Sequence, residues 1–128
     1  MKAIRAADMK KAMLADMEKE FIGITHTEVG KMIAEKWNLM DETFECVLHH
    51  HDPNMASEKN YKLVTAVHIA DIYCNMNQVG FSGSRHTDPI GEHLLDSIGI
   101  NEAFLEELVD SMSAELDKAS VFLKVSGQ

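Results

Sequence analysis

The seven histidines of this 128-residue chain are unevenly spread, and three stand together in FECVLHHHDPN, residues 44–54. His49, His50 and His51 close an apolar-patterned segment, with Asp52 and Pro53 directly behind them. His26 opens an earlier segment. His68 and Asp71 share a later one, three residues apart and so roughly on one helical face. Imidazoles and a carboxylate arriving from three separate segments make a donor set suited to borderline divalent ions such as Zn, Mn, Fe or Ni. Asp71 is the most informative of these positions. It lies in IADIY, within the most apolar segment of the chain, where an ionised carboxylate is costly to bury unless a cation or strong donors meet it.

Plainer roles fit the same residues. Histidines at a helix C-terminus are favoured by the macrodipole and can hydrogen-bond the last carbonyls. Asp71 could be partly exposed or paired with a core histidine, and a residue in a first helical turn, such as His26, often faces solvent. Adjacent helical residues such as His50 and His51 point about 100° apart. One ion could therefore collect both only where the helix frays; otherwise each serves a different ligand. His68, His86 and His93 show no partner in the sequence and read as structural or surface residues.

Helices must position these groups, since no segment sustains strand alternation. Residues 3–21 place Met9, Met13, Leu14, Met17 and Phe21 at three- and four-residue spacings, and Gly23 ends that helix. THTE is a capping box, with Thr25 as cap and Glu28 reaching back. It starts a helix running to about Asn38 whose expected buried face is Val29, Met32, Ile33 and Trp37. Asp41 is the expected cap of a third helix, which Pro53 stops near Asp52. Residues 58–78 form a long helix apolar on most sides, hence central and mostly buried. Residues 79–89 read as a loop, and Asp88-Pro89 as the start of a short helix ended by Gly99. Asn101 caps a last helix with an apolar stripe through Phe104, Leu105, Leu108, Val109, Met112 and Leu116. The expected fold is all-α, a compact bundle of about six helices in a single domain over residues 1–128.

Composition supports that reading: 45% hydrophobic and 26% charged residues suit a globular chain, and nine Met with only 6% aromatics suit a pliable helical core. A formal net charge of −9 disfavours nucleic acid and anionic membrane as partners. Cys46 and Cys74 form no CxxC pair and read as reduced, buried residues. With neither a signal-peptide pattern nor a spanning segment, a soluble, cytoplasmic protein is expected.

The run from Glu18 through Ile22-Gly23, His26, Glu28-Val29-Gly30 and Trp37 to His50-His51-Asp52-Pro53 resembles the HDOD domain, the HD-related output domain of bacterial signalling proteins. Ala70-Asp71 in VTAVHIADIYC is similar to the family's following helix, and LLDSIGINEAFLEELVDSM to its closing helix pair. The resemblance covers about residues 15–78 and implies an HD-domain-like fold, partial relative to the full family. It also relates the chain to HD metal-dependent phosphohydrolases, including HD-GYP cyclic dinucleotide phosphodiesterases. By that resemblance the metal ligands are His26, His50, His51 and Asp71, while His49 gains no role.

Catalytic HD proteins also carry an upstream His and a His-Asp doublet. No histidine precedes His26 here, and the GYP signature is absent. The resemblance thus implies a signalling or regulatory module without catalysis of its own, retaining a residual His/Asp pocket for a divalent Fe, Mn, Ni or Zn ion. The alternative is a one-ion HD-type phosphohydrolase acting on nucleotides or cyclic dinucleotides. A shortened N-terminal region would leave apolar surface for a protein partner or a second copy, so a homo-oligomer is expected.

Overall fold

A computed structural model of the chain describes residues 2–77, 79, 83, 86–87 and 89–112. All regular structure among them is helical: α1 (Lys2–Lys10), α2 (Leu14–Ile22), α3 (His26–Lys36), α4 (Asp41–His49), a 3₁₀ turn (Pro53–Met55), α5 (Tyr61–Met76) and α6 (Glu92–Ile98). Residues 102–112 are helical as well. The fold is all-α.

The span expected as one helix over residues 3–21 is two. Lys11 takes φ 50°, and the Ala12 amide donates to the Ala7 carbonyl at 3.1 Å, so the chain turns before Leu14. Met9 and Met13 keep helical spacing across this break, which is why periodicity does not register it. Met9 is left 86% exposed. The contact is made by small residues instead: Ala3 and Ala7, four apart on one face of α1, pack with Met17 of α2.

The capping box of α3 forms as expected. The Glu28 amide donates to the Thr25 hydroxyl at 3.2 Å, and the Thr25 amide donates to the Glu28 carboxylate at 2.8 Å. Trp37 closes the helix, and Asn38 turns the chain with φ 49°. The expected buried face is wrong, however. Val29, Met32, Ile33 and Trp37 are all exposed, and Ala34 is the buried residue of α3. Contact with α4 runs through the small residues, because a Cβ built on Gly30 would lie 2.5 Å from Val47 Cγ1. Valine is stiff about χ1 and cannot swing away cheaply. Gly30→Ala is therefore expected to destabilise the protein by about 1–2 kcal/mol, overpacking outweighing the gain in helix propensity. Urea denaturation measures it.

Helix α4 begins at Asp41 itself, with Met40 in the cap position and no side-chain cap. The Glu45 carboxylate accepts from the Ser57 amide and hydroxyl, both at 2.7 Å, and from Asn60 Nδ2 at 2.9 Å. This clamp ties α4 to the segment that starts α5, and the Ser57 hydrogen bonds hold Glu45 below the usual carboxylate range. The long helix is central as expected: α5 packs on α4, the 3₁₀ turn and α6, and buries Val64, Thr65, Ile69 and Ile72. Leu63 and Val67 nevertheless stay exposed.

Helix α6 is capped by Gly91, so Pro89 does not begin it; Asp88 lies outside the described residues, as does most of the 79–89 loop. Gly99 ends α6 in the left-handed conformation, and Asn101 Oδ1 accepts from the Phe104 amide at 2.9 Å as a cap. The stripe expected to be buried on the last helix is open at Phe104, Leu108 and Met112, and Leu116 lies outside the described residues. No helix among the described residues is long and apolar enough to cross a membrane.

Candidate metal-binding site

Three elements deliver the histidines. Gly23, at φ 85°, turns the chain out of α2 and sets His26 at the start of α3. Helix α4 stops at His49, and His50 caps it, so His51 already lies in the turn leading to Pro53. That is the helix end required for neighbouring imidazoles to converge, and the His50 and His51 ring centroids are 4.1 Å apart. Helix α5 adds Asp71 and His68. His68 Nδ1 lies 2.6 Å from the His50 carbonyl and donates to it, pinning this turn against α5. His68 is thus structural, as expected, and it holds the site's backbone.

Donor atoms of His26, His50 and His51 all lie within 4.8 Å of one another. Two of the three rings are held from their Nδ1 side. Glu18 Oε2 lies 2.7 Å from His26 Nδ1 and also accepts from the His26 amide at 2.8 Å. An ionised carboxylate only accepts, so His26 Nδ1 carries the proton and Nε2 presents a lone pair. His50 Nδ1 faces the Cys46 and Val47 carbonyls, each at 3.1 Å, which likewise leaves its Nε2 free. The helix-end role therefore leaves a nitrogen available for the ligand role considered for this residue. His51 Nδ1 faces Asp71 Oδ2 at 3.9 Å, beyond hydrogen-bond reach.

The His26 and His51 Nε2 atoms are 2.9 Å apart. That spacing suits one shared proton, and equally two adjacent donors on a single ion with bonds of about 2.1 Å. Burial, followed by the neighbouring His50 and His26 rings, pushes His51 down to about 4, so its imidazole is neutral near pH 7 and able to ligate. His51 and Asp71 are accordingly not an ion pair at that pH. The donor set fits a borderline divalent ion: three neutral imidazoles, two of them fixed in the Nε2-lone-pair tautomer.

Asp71 lines the same cleft but is not part of the donor group; it stands behind His51. Glu18, eight residues before His26, had no role in the sequence reading beyond marking the family pattern. It is the strongest orienting contact in the site. Glu18→Gln is expected to weaken metal binding about 10–100-fold without removing a ligand, because such outer partners fix ring orientation and basicity. Chelator competition measures it.

The histidines open on a cleft of about 220 Å³ whose other walls include Asn75, His86 and Thr87. His86, read as structural or surface from sequence, is thus a wall of the site. Gly83, at φ 109°, approaches α2 closely, and a Cβ there would lie 2.8 Å from Leu14 Cδ2. A second, open and mostly apolar groove runs between α4 and α5 past Cys46, Val47, Val67 and Cys74. Both cysteines are free but only half-buried, and burial pushes the Cys46 thiol up, away from the reactive thiolate.

An all-helical fold carries a cluster of three histidines, and comparison with known proteins finds similarity in both sequence and structure. Residues 1–53 match the family model for the HDOD domain, a stretch that contains Glu18, His26, His50 and His51 but not Asp71. The chain is similar in structure to an HDOD domain protein of unknown function from Geobacter sulfurreducens, with TM-score 0.73 and 23% identity. The similarity covers 92% of this chain and 44% of that one, so the chain spans less than half its neighbour's length. No curated protein matches. The HDOD resemblance drawn from Glu18, His26, Trp37 and His50-His51-Asp52-Pro53 is supported by that match, which ends at Pro53 and does not reach Ala70-Asp71.

Proposed function

We propose that this protein is a cytoplasmic signalling or regulatory interaction module of the HDOD type. It has no catalysis of its own and keeps a pocket for one divalent Fe, Mn, Ni or Zn ion. The make-up of the donor cluster carries this reading. His26, His50 and His51 supply three nitrogens around one point, while Glu18 and Asp71 stand on their Nδ1 sides. Two-ion phosphoryl chemistry needs a second donor group to hold the second cation. Among the described residues there is no other group of three. Partners are protein or a further copy of the chain, since a net charge of −9 repels nucleic acid and anionic membrane.

A second reading, a one-ion phosphohydrolase on nucleotides or cyclic dinucleotides, is favoured by the open cleft beside the three nitrogens. A bound ion would supply Lewis acidity and a water of lowered pKa there. The chain's own residues would hold the ion through His26, His50 and His51, with the His26 ring oriented by Glu18 and the His50 ring by the Cys46 and Val47 carbonyls. Asn75, His86 and Thr87 line the wall that a phosphate would face.

Untagged protein loaded with Mn, Fe, Ni or Zn and assayed on bis-p-nitrophenyl phosphate and cyclic dinucleotides separates the two. The module reading expects bound metal without turnover. Turnover that disappears in His51→Ala would establish the enzyme.

A further inference from the structure

Deepening the interaction-module reading, we infer that the exposed apolar face of α3, continued by the turn into α4, is the surface on which a second copy of this chain docks. Val29, Met32, Ile33 and Trp37 recur at i, i+3, i+4 and i+8, the spacing of a buried helical stripe. Here they are 41%, 58%, 43% and 69% exposed, and Leu39 and Met40 extend the patch at 38% and 73%. Eight of the seventeen exposed large apolar side chains among the described residues fall between residues 21 and 40. A sequence that builds an amphipathic helix and then leaves its apolar side in water implies a cover.

Charge argues that the cover is a second copy. Two chains of charge −9 repel overall, so a self-pairing surface must be locally neutral. Residues 26–40 are: Glu28 and Glu35 are balanced by Lys31 and Lys36. The rival stripe at Phe104, Leu108 and Met112 is flanked by Glu102, Glu106, Glu107 and Asp110, with no base in residues 102–112. A two-fold contact sets a patch against its own copy, so α3 meets balanced charge where residues 102–112 would meet acid with acid.

Trp37 is the chain's single tryptophan and reports on this surface directly. Sedimentation velocity of the wild type, with Trp emission followed on dilution, is expected to show a species of twice the 14.3 kDa chain mass. Its emission should shift to the red as it dissociates. Trp37→Glu and, separately, Met32→Glu should weaken dimerisation at least about tenfold with unchanged helical circular dichroism, because both side chains are exposed in the single chain and would carry a charge into the contact. Leu108→Glu should leave the dimer intact. A wild type that is monomeric at every concentration overturns the proposal, as would be the case if another protein or a further stretch of chain covers this face. So does a dimer that survives both α3 variants, or one that Leu108→Glu dissolves. A monomer that still binds one ion and hydrolyses nothing overturns the self-pairing alone and leaves the pocket reading standing.

Discussion

Replacing His26 with alanine is expected to abolish metal binding, weakening it by more than about 100-fold, beyond the range for losing an orienting partner. The substitution removes the nitrogen that faces His51 Nε2 at 2.9 Å and strands the Glu18 carboxylate that held it. Folding should suffer far less. The His26 ring is 38% exposed, and the helix start depends on Thr25 and Glu28 instead. A loss of about 1 kcal/mol is expected, typical of one surface-side hydrogen bond. His49→Ala is the matched control: it changes the third member of the same triplet but lies outside the donor group, and should bind metal as the wild type does. Equilibrium binding of Zn or Mn, read by chelator competition on untagged protein, gives both numbers.

Acid should unfold the metal-free protein in a way that one residue dominates. His51 titrates near 4 in the fold and near 6.5 when unfolded, the lowering caused first by burial and then by His50 and His26. Between those values the unfolded chain takes up a proton that the folded chain refuses. Stability is therefore level above pH 6.5, falls as the pH drops from 6.5 to 4, and has lost its full share below 4. With the ring only 26% exposed, that share is on the order of 3 kcal/mol. Glu28, Glu42 and Glu45 act lower down. Their hydrogen bonds, to Lys19, to the Glu42 amide and to Ser57 respectively, hold each below 4.5, so their contribution is present above 4.5 and lost as the pH falls through the folded values. Urea denaturation with chelator present, from pH 7.5 to 4.5, should show the drop in wild type and a much flatter profile in His51→Gln.

Several local signals were legible in the sequence, although the expected cap at Asp41 and the helix start at Pro89 were not met. THTE makes a capping box whatever surrounds it, Gly23 and Gly99 stop helices because they tolerate positive φ, and Pro53 forbids α4 from continuing. The convergence of His26, His50 and His51 was legible from residue types together with the family pattern. The larger misreadings depend on tertiary contact. Periodicity cannot see a break such as that at Lys11 when both sides keep the same phase, and it assigns a buried face without knowing what is present to bury it. Val29, Met32, Ile33 and Trp37 have the right spacing, yet no described element lies over them. Asp71 was expected as a ligand because of its apolar helix; the fold sets it behind His51, while the orienting contact at His26 falls to Glu18 on α2. Nothing in the spacing of Glu18 or His86 ties them to the triplet; Glu18 meets His26 only because the chain turns at Gly23.

Metal stoichiometry measured together with hydrolysis tests the central claim most directly. Untagged protein, stripped and reloaded with Mn, Fe, Ni or Zn, should hold at most one ion per chain by elemental analysis, lose it in His26→Ala, and leave bis-p-nitrophenyl phosphate and cyclic dinucleotides intact. Two ions per chain with turnover of either substrate, both lost in His26→Ala, would contradict the account.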